Sequence, residues 1–145
     1  MMALEEQLII DIHPVLSQLT HQFFWHLDEF EYEQLVNLME PDARWHRQGR
    51  VLAGHEDILS ALRERSSTQK IRHVITNIQL TEASRHEAKV VAYMTAYKHD
   101  SGVETALPRE IKAPGSFLLV RTHFRHDGSR WLVAEQAADR EFVFV

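Results

Sequence analysis

Lys70-Ile71-Arg72-His73-Val74-Ile75-Thr76-Asn77-Ile78-Gln79-Leu80-Thr81 marks a change of period in this chain of 145 residues. Before this segment apolar residues recur at helical steps. From Ile71 onward they alternate, in stretches rich in Val, Ile, Thr, Tyr and Phe. Strands are therefore expected over residues 71–81, 88–99, 116–126 and 130–138. His126-Asp127-Gly128-Ser129 reads as a hairpin turn with Asp-Gly at its centre, and residues 81–87 as another turn. Residues 100–115, with Pro108 and Pro114, are longer than a hairpin loop and read as a lid or an interface arm.

Upstream, Val15, Leu16, Leu19, Phe23, Phe24 and Leu27 fall on one stripe of a helix starting at Asp11, with Pro14 in its first turn. A second helix follows Asp28, carries Tyr32, Leu35, Val36 and Met39 on one face, and stops at Pro41. Two short strands, 42–47 and 50–53, flank Gln48-Gly49. Gly54 opens a third helix that buries Ile58, Leu59 and Leu62 and leaves Arg63, Glu64 and Arg65 in solvent. Helices first and a mostly antiparallel sheet after them make an α+β plan. No linker or repeat interrupts residues 1–145, so a single domain is expected.

Composition narrows the function. Hydrophobic residues are 44% and charged residues 26% of the chain, which suits a packed core rather than extended disorder. The net charge of −5 argues against a nucleic-acid partner, because phosphate binding requires clustered positive charge. No apolar run is long enough to span a bilayer, and Met1 to Asp11 lacks the basic start of a secretory signal, so a cytoplasmic location is expected. The chain has no cysteine, which removes thiolate chemistry and Cys-ligated metals. Phosphate loops, the GxSxG elbow and HExxH are also missing.

Ten histidines are the one unusual count. His123 and His126 stand three apart on a strand and point to opposite faces; His21 and His26 diverge around a helix. His13, His55 and His86 lie at expected element ends, where an exposed imidazole is common, so no metal site and no cofactor are expected. His73 differs, lying mid-strand with Ile71, Ile75 and Asn77 on its own face. Buried there it needs a hydrogen-bond partner, either a backbone group in a structural role or a group that prepares it for proton transfer. Asp28, after the apolar run Phe23-Phe24-Trp25-His26-Leu27, reads either as a cap for the next helix or as an inward carboxylate.

Parity adds two further readings. The strand from Ile71 is half-apolar on both faces, which predicts cover on both sides, by helices and by another subunit. In the next strand Tyr93, Thr95, Tyr97 and His99 share a polar-aromatic face, suited to a cavity wall that binds substrate or to an aromatic stripe against a partner.

Residues 27–35, Leu27-Asp28-Glu29-Phe30-Glu31-Tyr32-Glu33-Gln34-Leu35, then Met39-Glu40-Pro41-Asp42-Ala43 and Trp45, resemble the first half of polyketide-cyclase-like (SnoaL-like) domains. Gly54-His55-Glu56-Asp57-Ile58 looks like the family's glycine before its third helix. Arg72-His73-Val74-Ile75-Thr76-Asn77 is similar to its basic-His-apolar-apolar-x-Asn strand, and Asp127-Gly128 with Trp131 to its closing hairpin. The resemblance covers nearly the whole chain. It implies a cone-shaped α+β barrel of the nuclear-transport-factor-2-like superfamily, with three N-terminal helices on a strongly bent sheet around an apolar pocket. The nearest members would be scytalone dehydratase and the β subunits of ring-hydroxylating dioxygenases.

The resemblance further implies an Asp28/His73 catalytic pair, with His99 near the dehydratase's second histidine; together with the strand parity, Trp45, Asn77, Tyr93, Tyr97 and His99 are the expected substrate-binding residues. Leu27 stands where that enzyme has its first tyrosine, and residues 44–47 contain no tyrosine for its second. Two functions follow as expectations. One is a cofactor-independent lyase, isomerase or cyclase acting on a small apolar, oxygenated ring compound. The other is a non-catalytic ligand-binding or scaffold protein, similar to a dioxygenase β subunit. The apolar strands and the Phe142-Val143-Phe144-Val145 ending also predict a homo-oligomer, dimer or trimer.

Overall fold

A computed structural model describes residues 5–145. Helix α1 (Glu6–Asp28) starts more than a turn before the expected Asp11, which places Pro14 inside it. The proline ring removes the bond to the Ile10 carbonyl, but Ile10 is 59% exposed on the water side, where solvent can serve that group. Helix α2 (Tyr32–Val36) is a single short turn, and strand β1 (Met39–Arg47) begins where the longer helix was expected to continue. Pro41 therefore ends no helix. It sits in β1 between Met39 and Arg44, where the ladder to β6 is interrupted and its missing N–H removes no pair.

Strand β2 (Arg50–Ala53), helix α3 (His55–Arg63), and strands β3 (Lys70–Ala83), β4 (Glu87–His99), β5 (Ser116–His126) and β6 (Trp131–Val143) complete the chain. The sheet order is β2-β1-β6-β5-β4-β3; β1 and β6 run parallel and every other neighbouring pair antiparallel. It stays open at β2 and β3, and the three helices cover one face to give a cone-like α+β fold. Phe23 of α1, fully buried, meets Phe24 and Trp45 edge-on at 5.1 Å each and ties the long helix to β1. Leu35, Met39, Ile58, Val120 and Phe124 pack into the same core. Gly54 precedes α3 at φ 84°, a conformation that suits glycine, with Ile58 and Leu62 turned inward below it.

The mixed parity of β3 has a local cause. Thr76 pairs with Tyr93 while Gln79 pairs with Val91, so β3 carries one extra residue there. Asn77 occupies that bulge at φ 55°, a left-handed conformation asparagine tolerates better than most residues. The insertion reverses the strand's phase. Ile71, His73 and Ile75 face the helices before it, and Ile78 and Leu80 face them after it. Apolar residues on both nominal faces thus reflect a phase change within one strand. The outer face of the sheet carries no layer from this chain: Val74, Tyr93 and Tyr97 are 44%, 41% and 39% exposed.

Two histidines expected at exposed element ends are half-buried and bonded. His13, within α1, donates from Nε2 to the Ile78 carbonyl at 3.2 Å, and His55 from Nε2 to the Met39 carbonyl at 3.0 Å. The 100–115 connection is tied down at both ends of its first half. Asp100 accepts from the Thr68 hydroxyl at 2.7 Å and the Gly102 N–H at 3.1 Å, and the buried guanidinium of Arg109 donates to the Thr68 carbonyl at 2.8 Å.

Candidate active site

The C-terminus of α1 decides where the first functional side chain goes. The Phe30 N–H donates to the Leu27 carbonyl and the Glu31 N–H to the His26 carbonyl, a Schellman closure with Phe30 in the position glycine usually takes, at φ 61°. Arg65, just past α3, clasps this turn. It donates to the Leu27 carbonyl and to the Tyr32 hydroxyl, both at 2.8 Å, and lies over the Phe30 and Tyr32 rings at 5.5 and 5.6 Å. Asp28, the last residue of the helix, is thereby aimed at the sheet and does not cap α2, whose N-cap is Glu31.

Strand β3 is an edge, and at His73 it offers α1 a backbone N–H. Asp28 Oδ2 accepts that N–H at 2.8 Å, while Oδ1 accepts the His73 ring Nδ1–H at 2.5 Å. Asp28 is 6% exposed and the His73 side chain 10%, with Phe24 tilted against the imidazole at 5.3 Å. Because Nδ1 donates to the carboxylate, the neutral form of the ring carries its lone pair on Nε2. That atom has no protein partner among the described residues, and His73 lines a cavity of about 800 Å³. An imidazole oriented by a buried carboxylate on a cavity wall can take and return a proton.

The inner wall of the cavity is apolar, built from Phe24, Leu27, Trp45, Met94, Ala96 and Leu118. Three buried polar side chains interrupt it: Gln69, Ser116 and Gln136, the last donating weakly to Thr122 Oγ1 at 3.4 Å. The mouth is not apolar. Arg47, Arg50, Arg65, Lys98 and Arg140 line it, against the single carboxylate of Glu64. An apolar hollow throughout, as expected, is therefore corrected to an apolar interior under a cationic rim. Among the described residues no group of three His, Asp or Glu side chains converges, and no helix is long and apolar enough to cross a membrane.

Trp45 lines the cavity, whereas Asn77, Tyr93, Tyr97 and His99 do not. Asn77 is exposed in the bulge that reverses β3. Tyr93 and Tyr97 share β4's outer parity, since the inward residues are Val90, Ala92, Met94 and Ala96. Tyr93 stacks instead on Phe117, and Phe117 on Phe142, at 5.4 and 5.6 Å across the outer face. His99, also of outer parity, is half-buried with Nδ1 unpartnered. Residues the sequence reading missed, Gln136 and Arg140, had a signal: both lie on the alternation of Ala134 and Ala138 in β6, so a polar residue in that phase faces inward.

A family model described as the SnoaL-like domain matches residues 15–137. No curated protein sequence matches the chain. Among solved structures, a protein of Novosphingobium aromaticivorans provisionally named scytalone dehydratase superposes with a TM-score of 0.80 at 13% identity, over 97% of this chain and 91% of that one. ActVI-ORFA of Streptomyces coelicolor gives 0.72 at 14% identity over 90% and 98%. A Catenulispora acidiphila protein in complex with S-DNPA gives 0.72 at 20% identity, over 90% and 94%. At these identities the likeness establishes the shared fold.

Proposed function

Because this chain belongs to the SnoaL-like domain family, we propose that it binds a small oxygenated ring compound in the cavity and moves a proton on it, as a cofactor-independent isomerase, dehydratase or cyclase. The observation that carries this reading is the Asp28–His73 pair, with His73 on the cavity wall and Nδ1 held by the carboxylate. In the proposed step Nε2 takes a proton from carbon next to a carbonyl, and Asp28 stabilises the imidazolium through the Nδ1–H bond. The resulting enolate then takes a proton back at the same or another atom. Support also comes from the fold shared with the protein provisionally named scytalone dehydratase. Trp45 and Phe24 supply ring contacts for the substrate, and Gln136 and Ser116 offer hydrogen bonds to its oxygens.

The test uses 2-tetralone, a cyclic ketone with acidic α-protons, incubated in D2O and followed by proton NMR. The wild-type chain is expected to speed deuterium incorporation over buffer, and His73→Ala to abolish that gain. Binding of 2-tetralone without faster exchange would overturn the catalytic reading and leave the ligand-binding or scaffold role.

We also propose that a second copy of the chain covers the outer face, where the Tyr93–Phe117–Phe142 ladder and Tyr97 stand exposed. Light scattering at micromolar concentration is expected to report a dimer or trimer; a monomer mass would overturn this.

A further inference from the structure

The mouth of the cavity carries charge of the opposite sign to the chain. The protein is net −5, yet its rim presents Arg47, Arg50, Arg65, Lys98 and Arg140 against Glu64. Four of the five cations have no carboxylate within ion-pair distance among the described residues. Arg47 has only a 3.5 Å contact to Gln48, and neither Lys98 nor Arg140 makes any side-chain hydrogen bond or ion pair. Arg50 reaches Glu64 at a loose 4.0 Å, and Arg65 is committed to the α1 turn. Among the exposed arginines elsewhere, Arg63, Arg72, Arg85, Arg121 and Arg125 each pair with an Asp or Glu, whereas Arg44 and Arg130 stand apart from one another without an ion pair among the described residues.

Local geometry holds the rim together. Gln48 and Gly49 both take positive φ, 53° and 76°, so a two-residue turn projects Arg47 and Arg50 from the β1–β2 hairpin. Arg47 lies over the Trp45 ring at 5.6 Å, at the boundary between apolar wall and cationic rim. Burial, then the nearby guanidinium of Arg65, push the Arg47 pKa down, with Tyr32 opposing and Arg50 adding to the effect. Arginine does not discharge at neutral pH, so an anion seated at the rim would relieve the crowding.

We propose that the physiological ligand is an apolar ring compound bearing an oxyanion, a carboxylate or a phosphate. Its ring lies along Trp45 and Phe24, and its anionic group is received by Arg47, Lys98 and Arg140. This rests on the cavity being the ligand site and names the class of ligand it takes. A guanidinium fork matches either oxyanion, and the apolar wall holds the ring with its reactive carbon toward His73.

The test compares 2-naphthoate and 2-naphthyl phosphate with the neutral 2-naphthamide by calorimetry, in the wild-type chain and in Trp45→Ala, whose weaker binding of all three places them in the cavity. At least one anion is expected to bind about ten-fold or more tightly than the amide, and the tighter of the two names the head group. Raising the salt from about 0.02 to 0.5 M should shrink that preference. Arg47→Gln, and separately Arg140→Gln with Lys98→Gln, should each reduce it, and all three together should bring it within about two-fold. Thermal melts of each variant confirm folding. Equal binding of amide and anions, or a preference unchanged in the triple variant, would overturn the charge assignment while leaving the cavity as a ligand site. Binding of none of the three would overturn both.

Discussion

The two faces of the sheet draw on the same residue vocabulary and end up with different chemistry. The concave face meets α1 and α3, and there an imidazole, a carboxylate and a few amides are held among Phe24, Trp45 and Met94 at low exposure. The convex face has no helical layer, so its tyrosines stay about two-fifths exposed and its rings pack only on one another. A polar-aromatic strand face therefore does not by itself indicate a binding wall. What matters is which face the helices cover, because cover excludes water and strengthens each polar contact left inside.

The sharpest way to break this contrast is to disable one group on each face. His73→Ala is expected to slow 2-tetralone exchange by about 10²- to 10⁴-fold, whereas Tyr97→Ala should leave it within about two-fold. An equal loss from both would erase the functional distinction between the faces. Asp28→Ala would leave two His73 donors without an acceptor, one on the backbone and one on the ring. It should lower stability by about 3 kcal/mol in urea unfolding, at roughly 1–3 kcal/mol per orphaned group.

Asn77 sharpens the comparison because it marks where β3 exchanges one face for the other. Asn77→Val places a β-branched residue at φ 55° and should cost about 1–3 kcal/mol in thermal unfolding, while Asn77→Gly should be near neutral. On the convex side Tyr93→Thr should change stability by no more than about 0.5 kcal/mol at dilutions where only monomer is present. A larger loss there would mean that the outer rings support the monomer's own fold.

The smallest effect belongs to the loop beside the cavity. The Ser66 and Thr68 hydroxyls and the Gly102 N–H hold the Asp100 carboxyl at about 2, below its ordinary 3.8. A depressed carboxyl stabilises the fold above its unfolded value and loses that contribution as pH falls through the folded one. The effect should be complete above about pH 5, fade from pH 4 toward 2, and be absent in Asp100→Asn. Carbon-13 NMR titration of the carboxyl measures it directly.

Much of the fold was legible because helical and alternating periods report which positions meet a core. The change of period near Lys70, the Gln48-Gly49 turn and the start of β5 all follow from that pattern. Pro14 and Pro41 misplaced helix ends because proline's local penalty was weighed without the solvent-facing carbonyl and the ladder gap that accommodate it. For the site, the residue pattern singled out Asp28 and His73, residues 45 apart in sequence, and the resemblance paired them, whereas the hydrogen bonds between them depend on a helix end meeting a sheet edge. Tyr93 and Tyr97 were assigned to the wrong side because parity groups residues onto a face without saying which face is covered.

The letters alone determined the order of helices and strands, the absence of thiol chemistry and the alternation within each strand, because these depend on neighbours a few residues apart. The tertiary structure decided which side of the sheet became interior, where β3 reversed phase, and how cations from four separate strands and the end of α3 gathered at one opening. Such convergence depends on through-space distance between residues far apart in the chain, and that distance exists only once the sheet has curved around its helices.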